Sequence, residues 1–444
     1  MDNTFKITRS ILAVLMVLLL DWHLCSAQNI PLAADTAPSF KGAFLAISDA
    51  DMIATAYGSG MSNKINGIED SLMYIRSVNG LPQIQSRIHA TNSVISWPAI
   101  LAWHPTKPYA YVAETRGRIT PDTPKMKNVF YAYPKGMKVS IIDYSLPNHP
   151  SIIQEQMVGE NLQNVSLNQR GDLLVAGTTE KDKEMMVASV KDGLIDQICY
   201  FSDPEVDRTD TRDGGFRSIE FHPQKDVVAV NLNGTSVAFF NIIKEGRTIR
   251  IARIGKSLKV AKKLSVGNWH PSGKYFLVSN VNWGKGNLGA VFNKKGELIS
   301  VGFDEDGQHE VVSKVKVGLS PEGFDVSPNG EYAIVVNMRR TYVPSAFWFV
   351  PARKTPTLSL IKINQKTGQL THLGKPYGFE GVLPEDAIFD ESGKSIAVAV
   401  YHEKNEGYPT KGWIDFWEVR NDQLLWTKHK LYVTRGVHNL LRVP

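Results

Sequence analysis

Three residues of chemically useful type stand at matching places along the chain. Arg217, Glu322 and Glu385 each introduce a short apolar run, in Arg217-Ser-Ile-Glu-Phe221, Glu322-Gly-Phe-Asp-Val326 and Glu385-Asp-Ala-Ile-Phe389. Two carboxylates and an arginine converging on one point could hold a polar ligand or a metal, or serve as catalytic acid and base. The plainer alternative is a set of ordinary strand-start residues paired with their neighbours, since an unpaired charge is costly to bury. Trp97 and Asn164 hold the same place ahead of other runs, and Asp213 lies close by in Asp207-Arg-Thr-Asp-Thr-Arg-Asp-Gly214. These three are expected to contact the ligand.

Three long connections carry a second group of candidates. Glu114 to Gly136 includes Arg116, Arg118, Phe130, Tyr131 and Tyr133. Asn337 to Pro356 includes Arg339, Arg340, Tyr342, Phe347, Trp348, Phe349 and Arg353, and Tyr401 to Gly412 includes His402 and Tyr408. Loops of this length in a compact domain are usually functional or mobile. Arginine beside aromatic side chains is favoured at binding surfaces. From these loops Arg339, Arg340, Tyr342, Trp348 and His402 are expected to bind ligand; the alternative is a private cover folded over the sheet edge.

The element that must position all these residues is a repeat. Pro321 to Asn337 reads as two short apolar runs joined at Pro328-Asn329-Gly330, which is a hairpin signal. Similar units follow the turns at His104, Asn168, His222, His270 and Asp390, and a further one is read at Phe44 to Tyr57 around Asp49-Ala-Asp51. Turn-to-turn separations run from 48 residues (His222 to His270) to 64 (His104 to Asn168). Each unit carries a second pair of runs, such as Val139 to Tyr144 with Ile152 to Met157. Four strands at a period of about 50 residues predict an all-β, seven-bladed β-propeller with four-stranded antiparallel blades around a central channel. Strand-entry residues and the loops joining second to third strands then share one face. The His104, His222 and His270 turns fall on the other, spread around a ring rather than gathered as metal ligands.

Composition narrows the setting. Lys6 and Arg9, the apolar run Ile11 to Leu20, and Cys25-Ser-Ala27 read as a secretory signal peptide over residues 1–27; cleavage before Cys25 is the rival reading. A linker over 28–40 and one propeller over 41–444 complete the expected organisation. The mature chain would keep the formal charge of +6 and a single cysteine, Cys199, expected as a buried thiol. The basic stretch Lys244 to Lys263 lacks interleaved aromatics, so it reads as a lysine-guarded outer edge rather than a nucleic-acid surface. No strand-elbow serine, His-Glu-x-x-His or phosphate loop occurs. A periplasmic or extracellular monomer without cofactor, metal, nucleic acid or transmembrane segment is the expectation.

The stretches Gln365-Lys-Thr-Gly-Gln-Leu-Thr371 and Gly381-Val-Leu-Pro-Glu-Asp-Ala-Ile-Phe-Asp-Glu-Ser-Gly-Lys394 resemble the lactonase-type seven-bladed propellers, and Ser327 to Asn337 resembles YVTN-type surface propellers. The resemblance spans roughly residues 95 to 420. It implies a WD-like repeat fold, and enzymes of the family open or close lactone rings with arginines, a histidine and a glutamate at the channel mouth. Arg217 matches a family arginine. Ser218 stands where the family has the histidine, Leu232 where it has the glutamate, and Glu385 where it has an arginine. The expected function is therefore a scaffold that binds a small polar ligand, a glycan or a protein through the channel-mouth face. The alternative is a lactone hydrolase or lactonising enzyme, 6-phosphogluconolactonase-like or carboxymuconate cyclase-like, with a modified site.

Overall fold

A computed structural model describes residues 32–33, 39–95, 97–209, 214–284 and 286–444. The signal peptide, most of the linker and Asp213 lie outside them. Seven antiparallel sheets stand around a channel, forming a seven-bladed β-propeller. Counting from the channel outward, blade 2 is Leu101–Trp103, Tyr109–Ala113, Lys138–Asp143 and Ser151–Met157. Blade 3 begins at Ser166–Leu167, blade 4 at Phe216–Phe221, blade 5 at Leu264–Trp269, blade 6 at Pro321–Val326 and blade 7 at Val382–Phe389. Each inner strand packs on the inner strand of the next blade.

Blade 1 departs from the sequence reading. Phe44 to Ser48 is not an inner strand, and Met52 to Tyr57 is not its hairpin partner. Ala43–Ser48 is the second strand, lying between Ser71–Val78 and the C-terminal Val437–Val443, which takes the channel position. The two ends of the chain thus share one blade and close the ring, with Ala43 opposite Val443 and Ile47 opposite Asn439.

Apolar layers fill the space between blades. Phe201, Phe216 and Phe240 meet between blades 3 and 4, and Phe239, Trp269 and Phe276 between blades 4 and 5. Burying each such side chain contributes about 1.5–3 kcal/mol, so no blade keeps its core without its neighbours. A further apolar cluster sits on the channel-mouth face. It joins Met52, Ile53, Ala54 and Ala56 to Ile119, Met126, Val129, Tyr133, Met338, Tyr342, Val350 and Leu383. The run Met52 to Tyr57 is apolar because it belongs to this loop core.

On the opposite face the three histidine turns fasten blade to blade. His222 Nε2 meets the Gly273 carbonyl at 3.0 Å, and His270 Nε2 meets that of Gly330 at 3.0 Å. His104 makes the matching bond with the Gly171 backbone. All three glycines have positive φ, and a Cβ there would collide with the histidine ring. The basic strand Thr248–Lys259 is the outer edge of blade 4, where Arg253 pairs with Asp203 at 2.6 Å and Glu205 at 3.0 Å. Cys199 is half-buried on the outer strand of blade 3 rather than fully enclosed, and burial raises its thiol pKa. Among the described residues, no helix is long and apolar enough to cross a membrane.

Candidate functional site at the channel mouth

The inner strands of blades 4, 6 and 7 are bulged where the candidate residues stand. Register shifts between Phe216 and Ser218, between Pro321 and Phe324, and between Pro384 and Ala387. The residues inside those shifts are Arg217, Glu322-Gly323 and Glu385-Asp386. A β-bulge leaves a residue out of the ladder and re-aims its side chain. Gly323 permits the close approach of blades 6 and 7, since a Cβ there would lie 2.1 Å from the Glu385 carbonyl oxygen.

These bulges open into a cavity of about 530 Å³ that Trp97, Arg217, Glu322, Tyr342 and Glu385 all line. Its wall comes from four long connections between second and third strands: Tyr57 from blade 1, Arg116 to Lys135 from blade 2, Trp283 to Phe292 from blade 5 and Met338 to Val350 from blade 6. Trp97 and Trp283 lie with ring centroids 6.3 Å apart, and Trp283 and Tyr342 5.9 Å apart. Lys263 Nζ stands 5.9 Å from the Trp283 ring. Arg116 donates to Asn161 Oδ1 at 2.5 Å and to the Phe130 carbonyl at 2.6 Å. Burial lowers its pKa to about 10, and the neighbouring Arg217 pushes the same way. The Arg116 guanidinium therefore stays charged at neutral pH, with that of Arg217 close enough to act on it.

The two carboxyls are both shifted upward. Burial, then the nearby Asp386, raises the Glu322 pKa to about 8. Burial, then Glu322, Asp49 and Asp386, raises that of Glu385 well above the ordinary carboxylate range. With a pKa of about 8, Glu322 rests largely protonated at neutral pH, and the shift of Glu385 runs in the same direction. Behind Glu385 lies His438, on the strand that closes the ring. Its Nδ1 is 3.8 Å from Glu385 Oε2, and both atoms are buried without a hydrogen-bond partner. His438 Nε2 contacts Asn92 Oδ1 at 2.7 Å, while Asn92 Nδ2 donates to the Ser48 and Ala90 carbonyls. Asn92 can only accept from the histidine, so Nε2 carries the proton and Nδ1 offers a lone pair to Glu385. Burial lowers the His438 pKa to about 3.

Other sequence candidates lie elsewhere. Asn164 is buried between blades 3 and 4, donating to the Ile219 carbonyl at 2.6 Å and accepting from Gly177 N–H at 3.0 Å. Arg339 donates to the Thr355 carbonyl, and Arg340 to Asn293 Oδ1 and carbonyl. Both hold loops behind the wall. Tyr342 faces the cavity while its hydroxyl donates to the Ala290 carbonyl at 3.0 Å. Trp348 is 80% exposed at a loop tip and does not line the cavity. His402 accepts from Ala54 N–H at 3.0 Å and anchors the blade 1 loop to blade 7. Sequence reasoning did not single out Tyr57, Lys263, Trp283 or His438. The signal for His438 was the chain end itself: Val437-His-Asn-Leu is the missing inner strand of the first repeat.

Fold and cavity together define a seven-bladed propeller with a ligand-sized pocket at its channel mouth. No family model matches the chain, and no curated protein matches it by sequence. Solved structures share the fold. A putative 6-phosphogluconolactonase from Bacteroides uniformis aligns with TM-score 0.61 and 12% identity, over 91% of this chain and all of that one. A periplasmic gluconolactonase from Pseudomonas aeruginosa aligns with TM-score 0.62 and 12% identity, over 90% of this chain and all of that one. A functionally unknown protein from Desulfotomaculum acetoxidans follows at 0.57 and 10%, over 90% and 98% of the two chains. The architecture these structures share with the chain is therefore the seven-bladed propeller.

Proposed function

We propose that the channel-mouth cavity binds a small polar ring compound bearing negative charge, and that this chain is a ligand-binding propeller acting outside the cytoplasm. The carrying observation is the placement of Arg116 and Arg217 in one aromatic-walled cavity with Glu322, whose pKa is raised to about 8 by burial. Aromatic faces suit the flat sides of a ring, and guanidinium forks suit a carboxylate or phosphate. Titrating the protein with gluconate, glucuronate and neutral glucose while following tryptophan emission tests this reading. Saturable quenching by the acids, weakened at least about tenfold in Arg217→Ala, supports it. Equal response to glucose removes it. The expected export is checked by fractionating cells and sequencing the mature N-terminus, which should begin at Gln28.

A second reading, lactone hydrolysis, is favoured by Glu385, a buried carboxyl on a bulge that lines the cavity. Once Glu385 is ionised, its carboxylate can take a proton from water as the water oxygen adds to the lactone carbonyl carbon. The arginines supply positive charge for the carbonyl oxygen. The ring C–O bond then breaks, and its oxygen leaves with the proton held by Glu385, giving a hydroxy acid. The name of the Pseudomonas neighbour makes gluconolactone the first substrate to try. Hydrolysis above the buffer rate that vanishes in Glu385→Gln supports this reading; a rate equal to buffer rejects it for that lactone.

A further inference from the structure

The cavity changes character from base to mouth. At the base Glu322 and Glu385 are 4% and 1% exposed. At the mouth four aromatic residues line the same cavity yet stay open to solvent: Tyr131 at 59%, Phe292 at 51%, and Phe347 and Phe349 at 44% each. They come from three different loops. Tyr131 sits on the short helix Val129–Ala132 of blade 2, Phe292 follows the helix Gly286–Val291 of blade 5, and Phe347 and Phe349 stand on the blade 6 loop. Single exposed aromatics are normal on a protein surface, but several converging on one opening mark a binding surface. Between base and mouth the wall is apolar, with Val94, Val343, Val350 and Leu383 all buried.

A ring acid alone would leave this upper wall and rim wet. The volume of about 530 Å³ is in the range of pockets for drug-sized ligands (about 300–1,000 Å³) rather than for one sugar ring. We infer that the ligand is an amphiphile: an acidic ring head set against Arg116 and Arg217, and an aliphatic tail laid along the apolar wall to the exposed rim formed by Tyr131, Phe292, Phe347 and Phe349. The inference rests on the proposed binding of an acidic ring and adds the chemical class of what the ring carries.

Alkyl β-D-glucuronides with methyl, butyl, hexyl and octyl tails test it, because only the tail changes. Affinity is measured by calorimetry below the micelle concentration, with octyl glucoside as the uncharged control. The expected result is a gain of about two- to fourfold per methylene, with a flatter slope in Phe347→Ser/Phe349→Ser and weaker binding of the glucoside. Binding of the methyl compound with no dependence on tail length overturns the amphiphile and leaves the acidic-ring reading standing. Octyl glucoside binding as tightly as octyl glucuronide keeps the tail and overturns the acidic head. Failure of every glucuronide to bind overturns both.

Discussion

Glu385 Oε2 and His438 Nδ1 face each other at 3.8 Å across the seam where the last strand of the chain meets the seventh blade. The histidine comes from the C-terminal strand, the glutamate from a bulge some fifty residues earlier, and ring closure alone brings them together. Asp386 secures the seam, accepting from Leu440 N–H at 2.8 Å and Asn439 Nδ2 at 2.7 Å. Burial disfavours charge on both members of the pair. If the cavity hydrolyses lactones, Glu385→Gln lowers kcat by about 10²-fold or more, since the amide can neither accept nor release the proton. Steady-state rates with the variant check this.

Glu322 makes a pH-dependent contribution with a definite sign. Its pKa rises from the ordinary carboxylate value of 4.5 to about 8 in the fold. The folded state thus favours the protonated form, and the contribution is complete below pH 4.5 and lost as the pH climbs to 8. Glu322→Gln stays neutral throughout. Urea unfolding of both proteins should show the variant gaining on the wild type between pH 4.5 and 8. Ionisation also adds negative charge to the cavity, so affinity for an acidic ligand should fall in the wild type above pH 8.

Gly323 sets the distance between blades 6 and 7. Gly323→Ala forces its Cβ against the Glu385 carbonyl oxygen, 2.1 Å away in the unrelaxed backbone, with Asp386 Oδ1 at 2.9 Å. Overpacking of this kind costs about 1–3 kcal/mol. Denaturant unfolding should show that loss, and ligand affinity should drop with it because both acidic bulges shift.

His270 tests the latches on the opposite face. His270→Ala removes a bond to the Gly330 carbonyl and ring packing on Tyr275. The expected loss is about 1–2 kcal/mol in unfolding free energy, with ligand binding unchanged because the turn is remote from the cavity.

Four of the six inner hairpins have a turn glycine between two apolar runs, namely Gly171, Gly273, Gly330 and Gly393, so the repeat was visible from local pattern. So were the bulge residues, since Arg217, Glu322 and Glu385 all sit one step ahead of such a run. Blade 1 hid because its inner strand is nearly four hundred residues away along the chain, which no local pattern reports. Met52 to Tyr57 misled because burial under loops selects the same apolar residues as burial in a sheet. Arg339, Arg340 and His402 have the composition of binding residues, yet their donors and acceptors are directed at backbone groups of neighbouring loops. Composition reports that a polar side chain is present, not which way it points.

Binding of an acidic ring at the channel mouth is decided by calorimetric titration of the wild type and Arg217→Ala with methyl β-D-glucuronide at pH 6, where Glu322 is protonated and Arg116 is charged. Saturable one-to-one binding is expected in the wild type, with an affinity at least about tenfold weaker in the variant. No heat of binding in the wild type, or equal affinity in the two proteins, would contradict it.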